Sequence, residues 1–276
     1  MNTVAEALRA AAERLAVISD TARLDAELLM AHALGATRSE LLLRHMRDSA
    51  PEGFASLVER RLTREPVAYI TGEQEFYGRS FRVSPVVLIP RGDSETTLAA
   101  ALEALPAAKR VLDCGTGSGI LLLTLLAELP EATGLGIDRS PEALAVARGN
   151  AEALGLAERA ELRLADWTAG GWRDGLGLFD LVIANPPYVE DGADLAPDVR
   201  EHEPAGALFS GPDGLEDYRA LVPQLPELLA PGGVVVLEIG HTQADAVSAI
   251  AASAAFTAEL RRDLAGRPRA LILRRN

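Results

Sequence analysis

Three glycines, two aspartates, a tryptophan and an Asn-Pro-Pro-Tyr tetrapeptide are the residues of this chain whose types and spacing could do chemistry. In VLDCGTGSG, Gly115, Gly117 and Gly119 alternate with Thr116 and Ser118, directly after an apolar run and before a helix-like stretch starting near Ile120. Glycine lets the backbone turn sharply and approach a ligand closely, and the N-terminus of the following helix favours polar or anionic groups. Asp138 ends the next strand-like run, 19 positions after Gly119. That is the offset at which an acid holds ribose hydroxyls in nucleotide-binding α/β folds. Capping the helix at Ser140-Pro141 is compatible with the same role. In LADWT, Asp166 offers an acceptor for an exocyclic amine and Trp167 a flat face, the two things an adenine ring needs; a turn cap and a core indole are the plainer assignments. Last comes FDLVIANPPYVE, where an apolar strand stops at Asn185-Pro186-Pro187-Tyr188. Prolines account for the stop, because they lack an N–H and bias the preceding residue to extended backbone. They account for neither the amide nor the aromatic.

The glycine spacing narrows the ligand. A dinucleotide fingerprint reads G-x-G-x-x-G, whereas here the third glycine comes one residue early, and Ile120 stands where the fingerprint has glycine. Asp113 precedes the loop. S-adenosylmethionine has no phosphates and carries a sulfonium and an ammonium, so an acidic, glycine-lined pocket attracts it and would repel a pyrophosphate.

The elements that must position these residues fall into two organisations. Up to about residue 65 the pattern is helical: Val4, Leu8, Ala11, Ala12 and Leu15 recur at three- and four-residue steps. Asp20 or Thr21 caps a second helix with an apolar face of Leu24, Leu28 and Ala31, stopping near Gly35. Ser39 to His45 predicts a third, and Pro51 opens a fourth. Nothing in this bundle looks nucleophilic, which points to docking or covering rather than chemistry. After Pro66, VAYITGEQEFYGRSFRVSP is rich in β-branched and aromatic residues and predicts a β-hairpin linker. Strand-like RVLDCG, ATGLGID, RAELRLAD, FDLVIAN and GGVVVLEIG then alternate with helix-like stretches, the pattern of a mostly parallel sheet covered on both faces. AAFTAELRRDLAGRPRALILRRN closes the chain as an antiparallel hairpin on one edge. All four motifs then lie at strand C-terminal ends, where open α/β sheets bind ligands. The expected boundaries are a helical bundle over 1–65, the hairpin linker over 66–90 and an α/β domain over 91–276.

Bulk composition bounds the rest. With 276 residues, 48% hydrophobic and 24% charged, the chain can bury a sizeable core. Its longest apolar run is too short to span a bilayer. The N-terminus carries Glu6, Glu13 and Asp20 at helical spacing, unlike a secretory or mitochondrial leader. A cytoplasmic location is the expectation. One cysteine excludes an internal disulfide framework, and with four scattered histidines a metal site is not expected. The net charge is −13, with −2 in residues 1–80 and −11 in the remainder. Such acidity disfavours sequence-independent duplex binding, which depends on cations at phosphates, and suits a cationic ligand or a basic protein partner.

Asn-Pro-Pro-Tyr after a strand, with DCGTGSG upstream, resembles the class I methyltransferases that methylate planar amino or amide nitrogens. The wider set PVAYITGEQEFYG, LIPRGDSE, DCGTGSGI, NPPYV, EPAGALFSGPDGL and DLAGRPR is similar to the peptide chain release factor glutamine methyltransferases (the HemK/PrmC family), over nearly the whole chain. The resemblance implies a Rossmann-like domain with a mostly parallel seven-stranded sheet and an antiparallel edge hairpin, preceded by the helical bundle. It implies S-adenosylmethionine as methyl donor, S-adenosylhomocysteine as product, no metal, and release factors presenting a Gly-Gly-Gln loop as protein substrate. Carried over by position, Gly115, Thr116, Gly117, Ser118, Gly119, Asp138, Trp167 and Asn185 contact the donor, with Asp166 added from the adenine argument. Asn185, Pro186, Pro187 and Tyr188 contact the substrate glutamine. Asn185, Pro186 and Tyr188 are the catalytic candidates: the Asn185 side-chain oxygen and the Pro186 carbonyl can accept both N–H groups of the target amide, and Tyr188 can pack on its plane. One departure stands out, since the family pattern Arg-Pro-Asp-Thr-Glu reads Arg91-Gly92-Asp93-Ser94-Glu95 here. Gly92 loosens the turn, and Ser94 still permits a helix cap.

An N6-adenine DNA or RNA methyltransferase is the alternative activity, because the same residues can grip an exocyclic amine. It would also need base extrusion and a cationic groove, against which the acidic C-terminal part argues. A donor-binding scaffold without turnover is the alternative outside catalysis, and the intact Asn185 argues against it.

Overall fold

Threonine caps and apolar spacing set the first helices. The computed structural model describes residues 2–276. Helix α1 (Val4–Leu15) starts at a capping box in which Thr3 Oγ1 accepts from the Glu6 N–H and Glu6 Oε2 accepts from the Thr3 N–H. It buries Val4, Leu8, Ala11 and Leu15. Helix α2 (Ala22–Leu34) ends at left-handed Gly35, as expected. Its buried face differs from expectation. Ala22, Ala26, Leu29, Met30 and Ala31 face inward, while Leu24 and Leu28 are 40% and 37% exposed. Two buried acids turn the helix: Asp25 pairs with Arg61 at 2.9 Å, and Glu27 with Arg23 at 2.6 Å and Arg38 at 2.8 Å. Counting apolar residues alone misses a face built partly from ion pairs.

A second capping box, Thr37 with Glu40, opens α3 (Arg38–Glu40), which continues as a π-helical turn over Leu41–His45. Helix α4 (Phe54–Leu62) begins after Gly53, three residues later than Pro51 suggests, because residues 51–53 form a turn closed by Phe54 N–H to Pro51 O. Val67–Thr71 is a short helix, α5, where β-branched content predicts strand; Pro66 sets its start and left-handed Gly72 its end. The hairpin itself is shorter than expected, β1 (Glu73–Phe76) and β2 (Arg79–Arg82).

Residues 1–73 form one compact unit together with a piece of distant chain, 195–202. That piece contains α9 (Pro197–His202). Asp198 reaches Arg61 at 2.8 Å and Arg64 at 3.4 Å, and the His202 ring is 3.3 Å from Thr63 O. Arg61 therefore serves two acids while its own side chain is 7% exposed. Removing one member of a buried pair strands the other's charge, at a cost of about 3–5 kcal/mol. Arg61→Ala should accordingly lower the stability of this unit by about 3 kcal/mol or more, read from urea unfolding followed by circular dichroism.

The second unit, 74–194 with 203–276, carries the large sheet. Its strands are β3 (Arg110–Cys114), β4 (Thr133–Asp138), β5 (Ala160–Leu164), β6 (Phe179–Ala184), β7 (Leu229–Glu238), β8 (Phe256–Arg262) and β9 (Pro268–Arg275). The order is β5-β4-β3-β6-β7-β9-β8, and every pairing from β5 through β7 is parallel. Strand β9 runs antiparallel between β7 and β8, so the closing hairpin pairs with the sheet through its second strand. Alternate residues supply the two cores. Leu112, Cys114, Val182, Val235 and Leu271 face one way, Val111, Leu181, Ile183, Val234 and Ile272 the other. Burial on both faces explains why these strands read as continuous apolar runs. Helices α6 (Ser94–Ala104), α7 (Ile120–Glu128), α8 (Pro141–Ala153), α10 (Glu216–Leu221) and α11 (Ala244–Ser253) complete the unit. The order reverses between β3 and β6, which makes their C-terminal ends the expected place for a ligand. No helix among the described residues is long and apolar enough to cross a membrane.

Candidate functional site

A cavity of about 410 Å³ opens at those strand ends, within the size range of small-molecule sites, about 300–1,000 Å³. Gly115, Thr116, Gly117, Ser118, Asp138, Asp166, Trp167, Asn185 and Pro187 all line it. Gly119, Pro186 and Tyr188 do not. Gly119 lies behind the loop as the residue before α7, where a Cβ would come 2.9 Å from Leu123. Pro186 is buried and Tyr188 half-buried.

The loop after β3 is held open by its own conformation. Gly115, Gly117 and Gly119 have φ of +78°, +55° and +86°, a region that costs other L-residues roughly 1–2 kcal/mol each. At Gly115 a side chain would also meet the Trp167 ring at 3.1 Å. Asp138 fixes the loop from the next strand: Oδ2 accepts from the Gly117 N–H and Oδ1 from the Ser140 N–H, both at 2.9 Å. Ser140 is itself the helix cap, accepting from the Ala143 N–H at 3.0 Å. Each Asp138 oxygen keeps a second lone pair for a hydroxyl.

Asp113 corrects the picture of an acidic pocket wall. Its carboxyl is fully buried behind the loop rather than lining the cavity. Thr116 Oγ1 donates to Oδ2 at 2.7 Å, and Oδ1 has no hydrogen-bond partner among the described residues. Burial pushes this acid up to about 7. Asp166 lines the cavity, and it is also the turn cap: its Oδ1 accepts from the Thr168 N–H at 2.8 Å and hydroxyl at 2.7 Å. The Thr168 hydroxyl holds its carboxyl below the ordinary range. Trp167 is 8% exposed, with its indole N–H donated to Asp217 Oδ1 at 3.0 Å. It is core and cavity wall at once.

The segment Pro85–Arg91 forms another wall. Arg91 pairs with Glu203, whose side chain is 1% exposed and whose Oε2 accepts from the Ile89 N–H at 3.2 Å. This bond ties the segment down although Gly92 replaces the family's proline. Ser94 is the first residue of α6 and not its cap; Asp93 precedes the helix and pairs instead with Arg269 at 2.7 Å. Arg269 also reaches Asp263 at 3.4 Å, so RGDSE and DLAGRPR are joined by ion pairs through the buried Arg269. Sequence reading missed Glu203 and Arg269 because their partners lie far along the chain. An acid or arginine next to proline inside a distinctive block was the only available signal.

Tyr188 has its hydroxyl pushed up to about 12, by burial first and by the nearby Glu238 charge second, so it stays protonated. Glu238, at the end of β7, is 1% exposed and accepts from the Thr97 hydroxyl at 3.3 Å. Burial raises it from 4.5 to about 7, opposed by the Ser94 hydroxyl, Arg269 and Thr97. Between those two pH values the folded protein holds a proton that the unfolded chain releases. Glu238's contribution to stability is therefore fully present below pH 4.5 and lost as pH rises through 7. Glu238→Gln removes that dependence. Relative to the wild type it should gain on the order of 2 kcal/mol between pH 5 and pH 8, measured by urea unfolding at both.

The family model described as "PrmC N-terminal domain" matches residues 6–72, and that described as "Methyltransferase domain" matches residues 105–264. A release factor glutamine methyltransferase of Cereibacter sphaeroides is 46% identical over 273 residues, covering 96% of this chain and 96% of its own. One from Caulobacter vibrioides is 44% identical over 263 residues, covering 92% and 90%. A third, from Moorella thermoacetica, is 43% identical and covers 98% of both chains. Among solved structures, a methyltransferase from Pyrococcus furiosus superposes with a TM-score of 0.52 at 17% identity, over 79% of this chain and 98% of its own, a likeness of fold alone.

Proposed function

We propose, since this chain belongs to the release factor glutamine methyltransferase family, that it transfers a methyl group from S-adenosylmethionine to the side-chain amide nitrogen of the Gly-Gly-Gln glutamine in peptide chain release factors. The observation that carries this reading is the meeting of the glycine loop, Asp138, Asp166, Trp167 and Asn185 on one cavity. There Asp138 would hold the donor's ribose, Asp166 and Trp167 its adenine, and the Pro85–Arg91 segment would cover its methionine end. The donor supplies an electrophilic methyl on a cationic sulfur.

The protein's part is geometric. An amide nitrogen is a weak nucleophile, and positioning with fixed dipoles lowers the barrier more than a base would. The Asn185 side-chain oxygen and the Pro186 carbonyl accept the two N–H groups and aim the nitrogen at the methyl carbon. Pro186 and Pro187 keep those acceptors from moving, and the neutral Tyr188 packs on the amide plane. The N–C bond forms as the S–C bond breaks, the sulfur leaves neutral, and one nitrogen proton passes to water. The helical unit docks the release factor, and the reaction takes place in the cytoplasm. The test is intact mass and peptide mapping of a bacterial release factor after incubation with the protein and S-adenosylmethionine. One added methyl on the Gly-Gly-Gln glutamine supports the reading; labelled methyl on DNA or RNA instead, with the release factor untouched, overturns it.

A further inference from the structure

The turn that ends in Tyr188 is held from behind by a side chain outside every motif described so far. Gln243 stands between β7 and α11, 55 positions from Tyr188. Its Nε2 donates to Tyr188 O at 3.0 Å and to Gly214 O at 3.1 Å, and its Oε1 accepts from the Gly240 N–H at 3.0 Å. The amide orientation follows from the partners, because two carbonyls require the nitrogen and an N–H requires the oxygen. One carboxamide thus joins three separate loops. The Gly214 loop is packed too tightly for substitution: Gly214 has φ +67°, and a Cβ there would lie 2.4 Å from the Tyr188 carbonyl oxygen. The next residue is fixed as well, with the Val189 N–H donating to Leu208 O at 2.8 Å and the Ser210 N–H to Val189 O at 2.9 Å. Both SGPDGL and EIGHTQ therefore converge on the backbone of the Asn-Pro-Pro-Tyr turn. Prolines stiffen that turn internally but donate no hydrogen bond that could anchor it to the rest of the protein.

We infer that Gln243 is a positioning residue for methyl transfer, holding the Tyr188 backbone so that the acceptors at Asn185 and Pro186 keep their aim. The inference rests on the function proposed above. It does not make Gln243 a contact of donor or substrate, and it separates placement of the amide from binding of the donor. A displacement of about 1 Å in a reacting group costs around 100-fold in rate, whereas the glycine loop and Asp138 are untouched by the change.

Two variants test it. Gln243→Met keeps length and loses every hydrogen bond; Gln243→Glu keeps the acceptor for Gly240 and sets a second oxygen against two carbonyls. In Gln243→Met, kcat on a release factor should fall about 10- to 100-fold, with the S-adenosylmethionine Kd, by calorimetry, within twofold of the wild type. In Gln243→Glu, kcat relative to the wild type should recover as pH is lowered from 8.5 toward 6, because the protonated carboxyl regains one donor. Should the methionine variant fail to fold, the pH profile of the glutamate variant decides alone. Folded variants with kcat within twofold of the wild type overturn the inference, as does a glutamate variant whose deficit is the same at every pH. If the wild type leaves the release factor unmethylated, the proposed function fails and the role of Gln243 fails with it, an outcome distinct from both.

Discussion

Replacing Asn185 with alanine should lower kcat/KM for release-factor methylation by at least about 100-fold, equivalent to about 3 kcal/mol of transition-state stabilisation. Asn185 directly follows β6 on the cavity wall, ahead of the buried Pro186 and of Pro187 on the same wall. The alanine variant keeps that backbone and removes one of two acceptors for the substrate N–H groups. The amide then swings about its remaining hydrogen bond to the Pro186 carbonyl, and its lone pair spends less time in line with the S–C bond. Because the missing interaction matters most when the nitrogen begins to carry positive charge, the loss should appear mainly in kcat. Single-turnover mass spectrometry of the release factor, beside calorimetry of the donor, separates the two. A variant that turns over within tenfold of the wild type would show that Asn185 does not aim the amide.

The second large effect belongs to Asp138→Ala. Two N–H groups lose their acceptor at once, Gly117 in the loop and Ser140 at the start of α8. The Gly115 and Thr116 N–H groups still reach Ile137 O at the base of the loop, but the Gly117 N–H at its tip loses its carboxylate, and the ribose loses its proposed partner in the same change. Hydrogen bonds to a charged group contribute about 1.5–3 kcal/mol each. Donor affinity should fall by about 100-fold or more, measured as the calorimetric Kd for S-adenosylmethionine. A Kd within threefold of the wild type would place the ribose elsewhere.

Local chemistry was legible in the sequence and long-range chemistry was not. A strand followed by alternating glycines, or by two prolines, announces itself within a few residues, so the strand ends carrying Gly115, Asp138 and Asn185 could be located from the chain alone. Gln243, Glu203 and Arg269 could not, since each acts on a partner tens of residues away: Gln243 on Tyr188, Glu203 on Arg91, Arg269 on Asp93. Asp113 shows the limit from the other side. Its type reads as a charge on the pocket wall, but burial pushes its carboxyl up to about 7, and burial is not written in a residue's type. Spacing alone puts Leu24 and Leu28 in a core, whereas the pairs made by the buried Asp25 and Glu27 leave them facing out. In VAYIT, the proline before and the glycine after outweighed the β-branched residues between.

The path of the chain bears on how this protein can be dissected. Residues 195–202 leave the catalytic unit soon after the Asn-Pro-Pro-Tyr turn, pack with residues 1–73, and return at Glu203. Family models draw a border near residue 72, and a truncation made there would look clean on paper. It would strip Asp198 of both Arg61 and Arg64 and leave an untethered span between the turn and the Glu203 anchor. Lost activity in such a fragment would report a slackened catalytic loop as much as a missing docking surface. A severed helical piece, 1–73 alone, would lack α9 and with it the Asp198 partner of Arg61 and Arg64. The two units interleave in sequence, so point substitutions, rather than excision, are the way to divide their labour.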